Sequence, residues 1–217
     1  MVRYTTKQWV FVVLMLSGCG SSMQQANSKG SDPDDIVLRG RQLVVEHACG
    51  DCHGGGSNPA APGWLQGAQI TDTIMSDTFK TFPRNLTPDT ATGTGRYTER
   101  QIFNALRFGL RPSKTSDVHI TSSVPGQGGF PAQPNFLAPS MPWVAWRQMT
   151  DDELRAIAAY IKRGLKPVNH KVIDSDAPPD LWVSAFTVEK VGNYPAPPYP
   201  TAREVPTANL PAGMQEK

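Results

Sequence analysis

The chain has 217 residues, with 21 Lys and Arg against 19 Asp and Glu, a net charge of +2, and 39% hydrophobic residues. So balanced a charge does not suggest nucleic acid, which would want a basic stripe, and the apolar content is enough for a chain that buries a core. Its three cysteines, Cys19, Cys49 and Cys52, are too few for a disulfide framework.

Residues 1–18 read as a processing segment. Arg3 and Lys7 supply a positive start, and Trp9 to Leu16 is an apolar run too short to span a bilayer. The run ends Leu16-Ser17-Gly18-Cys19, which resembles the lipobox of bacterial lipoproteins. On that reading cleavage falls before Cys19, and several acyl chains on Cys19 anchor the protein to a membrane, since one chain binds only marginally. The alternative is an ordinary secretory peptide with a coincidental cysteine. Either way the protein is exported to the periplasmic side of the cell envelope. Without residues 1–18, which hold two basic and no acidic residue, 19 Lys and Arg face 19 Asp and Glu.

Residues 19–35, rich in Ser, Asn, Gln and Gly, read as a flexible tether. Ile36, Val37, Gly40, Leu43, Val44 and His47 then follow helical spacing, predicting a helix over Ile36 to Ala48. It runs into Cys49-Gly50-Asp51-Cys52-His53, a C-x-x-C-H sequence and the attachment signature for c-type haem. Two thiols three residues apart on one turn can each bond a haem vinyl group, and the histidine that follows can ligate the iron. A thioredoxin-like pair would need a βαβ context, and a structural zinc site a second Cys or His pair at matching spacing.

Gly54-Gly55-Gly56 breaks the chain. A second helix is expected from Glu99 to about Phe108, opened by a Thr98/Gln101 capping box, with Ile102, Leu106 and either Phe103 or Phe108 facing inward. A third opens on a Thr150/Glu153 box, with Met149 and Leu154 spaced as a hydrophobic staple, and ends at Gly164 and Pro167. Residues 166–217 carry nine prolines and scattered aromatics. They read as an extended Pro-rich tail that partly wraps the domain, with a short strand near Leu181 to Val188. A disordered tail is the competitor, but Trp182 and Phe186 are costly to leave in water.

Residues 36–165 resemble class I c-type cytochromes: a helix, C-x-x-C-H, a central helix, a Met-bearing loop and a final helix. The resemblance sharpens at Arg39-Gly40, at Asn85-Leu86-Thr87-Pro88-Asp89 with Thr92-Gly93, at Ala105-Leu106-Arg107-Phe108-Gly109, and at Met141-Pro142-Trp143 followed by Met149-Thr150-Asp151-Asp152-Glu153-Leu154. These are similar to the cytochrome subunits of periplasmic alcohol and aldehyde dehydrogenases. The resemblance implies an all-α, cytochrome c-like domain around one covalently bound haem c. Cys49 and Cys52 would carry it and His53 would ligate the iron. Met141 is the expected second ligand, because it precedes the last helix in a Pro-bounded loop. Met149, Met75 and His119 are weaker candidates.

The resemblance also implies that a proline carbonyl after the motif holds the other ring nitrogen of His53. Pro62 is the expected one, with Pro59 as the alternative. Trp64 and Arg84 are candidates for the haem propionates, or for ordinary packing. Two departures stand out: Leu43 and Val44 occupy positions where small members carry an aromatic residue, and a long loop from Arg111 to Ser140 precedes Met141. The implied function is electron transfer by a lipid-anchored carrier, from a dehydrogenase to an oxidase or another cytochrome, with no catalytic residues. A haem enzyme or a gas-binding sensor with an open iron site is the alternative.

Overall fold

The computed structural model describes residues 33–68, 74–76, 79–173, 179–192, 194 and 202–204. The expected signal segment, Cys19 and the tether up to residue 32 lie outside the described residues, as do Met23 and Met214. All described residues belong to one compact unit, Ser31–Lys217.

Helix α1 spans Pro33–Glu46. Proline suits a first helical position because that N–H has no partner within the helix, and Asp34 and Asp35 in the first turn complement the helix dipole. Gly40, Leu43 and Val44 are buried on one face, and Ile36 and Val37 pack beside them. The expected run to Ala48 stops early. Ala48 takes a left-handed conformation at φ 52°, which separates α1 from the short α2, Cys49–His53.

A two-stranded antiparallel hairpin follows, β1 (Ile74–Ser76) with β2 (Phe79–Thr81), in the register Ile74 to Thr81. It adds a small sheet to an otherwise helical arrangement among the described residues. Helix α3, Glu99–Phe108, has both halves of the Thr98/Gln101 capping box and ends on Gly109 at φ 68°. Both Phe103 and Phe108 are buried, together with Asn104 and Arg107. This wide burial has a cause: the 111–140 loop is bonded onto the helix. Gln101 Nε2 donates to the Thr115 carbonyl at 2.9 Å, and Asn104 Nδ2 to the Val118 carbonyl at 3.0 Å. Ile120, Phe130 and Phe136 of the loop enter the main core.

The chain then forms α4, Trp143–Trp146, and α5, Asp151–Ala159. The Thr150/Glu153 capping box is complete, Leu154 is buried, and Met149 packs against the same core. A π-helical turn, Tyr160–Gly164, extends α5. Helices α1 and α5 touch backbone to backbone: a Cβ on Gly40 would lie 1.9 Å from the Ala156 carbonyl oxygen. Arg39 pairs with Glu153 at 3.2 Å, and Arg163 with Glu99 at 2.9 Å, so exposed ion pairs join α1 to α5 and α5 to α3.

The C-terminal segment corrects one expectation. Over Leu181 to Val188 the chain is not a strand but a 3-10 helix, Pro179–Ala185, followed by the one-turn α6, Val188–Val191. Trp182 and Phe186 are four residues apart, a spacing that places side chains on one side of a strand and of a helix alike, so the sequence pattern could not separate the two. Trp182 is buried, and Phe186 packs 4.9 Å from Trp143 and 5.2 Å from Phe136, centroid to centroid.

Candidate functional site

Helix α2 carries Cys49, Cys52 and His53 into the wall of a cavity of about 830 Å³. Its position follows from the packing behind it. Trp64 lies against Gly50, where a Cβ would meet the Trp64 ring at 2.4 Å, and Trp64 Nε1 donates to the Tyr160 hydroxyl at 3.0 Å. The motif is thus pressed between the cavity and an indole fixed to the end of α5. Glycine at position 50 is what permits this contact.

The two cysteines are free and differ in environment. Cys49 is buried and Cys52 exposed. Burial, reinforced by the neighbouring Cys52 and Asp51, pushes the Cys49 thiol up to about 12 against an opposing backbone hydrogen bond. His53 is buried, and burial lowers its pKa, so the ring is neutral at physiological pH. Its Nδ1 donates to the Arg84 carbonyl at 2.7 Å. That bond fixes the tautomer and leaves Nε2 with the lone pair that a metal requires.

The Arg84 carbonyl is itself held by its surroundings. The adjoining Asn85 is buried, and its Nδ2 donates to Thr92 Oγ1 at 3.0 Å and to the Val168 carbonyl at 2.8 Å, while its Oδ1 accepts from the Thr87 N–H at 2.9 Å. Opposite this strand of chain, Leu65 is fully buried in a left-handed conformation and accepts the Leu86 N–H at 2.9 Å. The Arg84 guanidinium donates to the Ile173 carbonyl at 3.2 Å.

A cytochrome c family model matches residues 37–164. The chain belongs to the cytochrome c family.

A cytochrome c domain implies covalently attached haem c and is typically an electron carrier. The cytochrome is 27% identical over 158 residues to the fructose dehydrogenase cytochrome subunit of Gluconobacter japonicus, covering 72% of this chain and 27% of that protein. It is 29% identical over 145 residues to the gluconate 2-dehydrogenase cytochrome c subunit of Pantoea cypripedii, covering 67% and 27%. It is 27% identical over 146 residues to the cytochrome c subunit of alcohol dehydrogenase (quinone) from Gluconacetobacter polyoxogenes, covering 67% and 25%. The chain therefore spans about a quarter of the length of the curated relatives it matches.

The residues of the cytochrome fit a haem. The cavity has the size of a cofactor site, and its walls are apolar side chains such as Leu86, Ile102, Leu106 and Ile157. Two thiols, a neutral imidazole and a thioether are the donors that the group takes. Cys49, Cys52, His53, Met141 and Arg84 all line this one cavity. Among the described residues no group of three or more His, Cys, Asp or Glu could hold a metal ion, so C-x-x-C has no zinc partner there.

Two expectations are corrected by the hydrogen bonds. The partner of His53 Nδ1 is the Arg84 carbonyl rather than that of Pro62, which is exposed and does not line the cavity. Trp64 faces the core and not the cavity, its indole N–H engaged by Tyr160. Met149 packs in the core, His119 is exposed, and His170 Nε2 bonds the Ala68 carbonyl at 3.3 Å. The Met75 side chain lies outside the described residues.

Sequence reasoning overlooked Arg111. It lines the cavity, donates through Nε to the Phe136 carbonyl at 2.7 Å, and stacks 4.9 Å over the Trp182 ring. Burial, then the charge of Arg84, lowers its pKa. Its position at the start of an irregular loop gave no pattern to read.

Proposed function

We propose that this cytochrome is a monohaem, periplasm-facing electron carrier, anchored to a membrane through lipidated Cys19. Cys49 and Cys52 carry the haem, and His53 and Met141 are its axial ligands. The carrying observation is that both thiols, the Nδ1-anchored imidazole and the Met141 side chain line a single cavity. When bound, the haem supplies one-electron exchange between Fe(III) and Fe(II). The protein supplies the ligands, the apolar surround and the neutral tautomer of His53. A Met/His pair favours the reduced iron and so raises the potential. Arg84 and Arg111, both at the cavity, suit the two haem propionates, because a guanidinium matches a carboxylate in charge and shape.

Filled axial positions would leave no open site for oxygen or peroxide, which favours electron transfer over an enzyme or gas sensor. The donor is read as a dehydrogenase, from the names of the relatives, and the acceptor as an oxidase or another cytochrome of a respiratory chain. Cys52 is exposed, so the cavity reaches the protein surface, where a partner can dock transiently over a small interface.

The test is the absorption spectrum of the purified holoprotein and of Met141→Ala, oxidised and reduced, with a pyridine haemochrome assay. A haem-to-protein ratio of one, a low-spin spectrum and a weak far-red methionine–iron band lost in Met141→Ala are expected. A high-spin wild-type spectrum, or a band that survives the substitution, would remove Met141 and return the open-site reading. For the donor, reduction by a purified sugar or alcohol dehydrogenase is expected. A holoprotein that none of these reduces would sink the dehydrogenase assignment.

A further inference from the structure

The segment from Phe136 to Arg147 has two faces. Leu137, Met141, Pro142 and Trp146 line the large cavity. Phe136, Trp143 and Arg147 line a second cavity of about 260 Å³, whose far side is formed by Phe186, Val191 and neighbouring residues of the C-terminal segment. Within the helical turn the spacing explains the division. Trp143 and Arg147 are four apart and share one face, while Pro142 and Trp146 share another.

A four-residue helix cannot hold itself in place, since nucleation is unfavourable and few bonds follow it. The support for α4 is therefore tertiary. Trp143 stacks on Phe136 at 5.9 Å and meets the edge of Phe186 at 4.9 Å. Arg147, only 2% exposed, donates through Nη1 to the carbonyls of Val191 and Gly192, each at 3.3 Å. The Arg147 carbonyl accepts from the Arg107 guanidinium, which also pairs with Asp151 at 2.5 Å.

Arg147 is thus a buried charge that joins the end of α4 to α6, with α3 and α5 behind it. Arg147 Nη2 is buried without a partner, and burial and the nearby Arg107 lower the pKa of the guanidinium. A buried cation is costly to leave without acceptors, so the position of α4 and that of the C-terminal segment constrain each other.

We propose that Arg147 is a positioning residue for Met141: by clamping α4 to the C-terminal segment at residues 191–192, it sets how firmly the methionine thioether holds the sixth position of the haem iron. This rests on the His53/Met141 reading above. Arg147 lies on the face of the segment away from the haem cavity and acts through the backbone of α4. Second-layer groups that orient a ligand commonly change metal affinity by about 10–100-fold when removed.

The experiment uses full-length holoprotein: wild type, Arg147→Met, Arg147→Lys and Phe186→Leu. The readouts are far-red band intensity, affinity of the ferric protein for imidazole, haem content and far-ultraviolet circular dichroism. Imidazole must displace the methionine, so its affinity reports the hold of Met141 rather than overall stability. Haem content and helicity are expected to stay at wild-type values. In Arg147→Met, imidazole affinity should rise about tenfold and the far-red band weaken. Arg147→Lys should restore part of the difference, and Phe186→Leu should shift it the same way by less.

Imidazole affinity within about twofold of wild type in both Arg147→Met and Phe186→Leu, with the far-red band intact, would overturn the proposal. If Arg147→Met does not fold, Phe186→Leu decides alone on the same criterion. A wild-type protein lacking the far-red band refutes the ligand reading itself, and with it this proposal. A wild-type band together with unresponsive variants refutes this proposal only.

Discussion

Two parts of the molecule hold the haem cavity from different sides, by different means. The frame of α1, α3 and α5 is built from helices of nine to fourteen residues, two of them opened by capping boxes, with a backbone contact at Gly40 and exposed ion pairs. The wall that bears Met141 has a one-turn helix, and its order comes from an aromatic cluster and a buried arginine tied to the C-terminal segment. The frame is locally specified and tolerant at its surface. The wall is specified only by what packs on it, so its failures should appear at Met141, the proposed ligand, before they appear in the fold.

The sharpest break in the frame is Gly40→Val. With the added Cβ 1.9 Å from a backbone oxygen, α1 and α5 must separate. The expected cost exceeds about 4 kcal/mol, in the range that only a few mechanisms reach, read as a lowered denaturant midpoint or the absence of folded holoprotein. The matching break in the wall is Trp143→Ala, which removes the 1% exposed indole at the centre of the cluster. It should cost about 3–5 kcal/mol. The far-red band should fade at a lower denaturant concentration than helicity does. Coincident loss of the two signals would mean that the wall and the frame unfold as one unit.

Smaller changes sharpen the contrast. Thr98→Ala and Thr150→Ala should each cost about 1 kcal/mol, by leaving helix N–H groups without an acceptor, and neither should alter the spectrum. Thr150→Ala should also change the response to acid. The Glu153 carboxyl is lowered first by the backbone N–H and hydroxyl of Thr150, and further by Arg39. A depressed folded value stabilises the fold at neutral pH, and that contribution disappears as pH falls through the folded value. Between about pH 5 and pH 3 the wild-type melting temperature should therefore fall more steeply than that of Thr150→Ala. Smallest of all, Arg39→Ala should cost no more than about 0.5 kcal/mol, since its ion pair is largely exposed; a loss several times larger would show that the pair acts as part of a wider network.

The same division governs what could be read in advance. The starts of α3 and α5 were legible because each carries Thr with Gln or Glu three residues on, a local signal that no tertiary contact overrode. The haem motif was legible because its chemistry fixes its spacing. The start of α1 at Pro33 was missed, although Pro33-Asp34-Asp35 is a sound helix opening, because the polar sequence before it read as tether. The partner of His53 was not legible. Every residue carries a carbonyl, and which one arrives 2.7 Å from the ring depends on a chain path 31 residues away. The role of Trp64 depends likewise on Tyr160, 96 residues on. The two-faced wall was hidden for the same reason, since Arg147 and its acceptors in residues 191–192 are joined only by the fold.

The bond from His53 to the Arg84 carbonyl separates two properties that usually change together. The imidazole is oriented by the backbone of residue 84, whereas the charge beside the cavity belongs to its side chain. Substitution at this position cannot delete the acceptor. Evolution or an engineer can therefore alter the charge at residue 84 and leave the aim of the imidazole where it was, so that drift at one codon changes the field beside the cavity while the orientation of His53 is inherited intact.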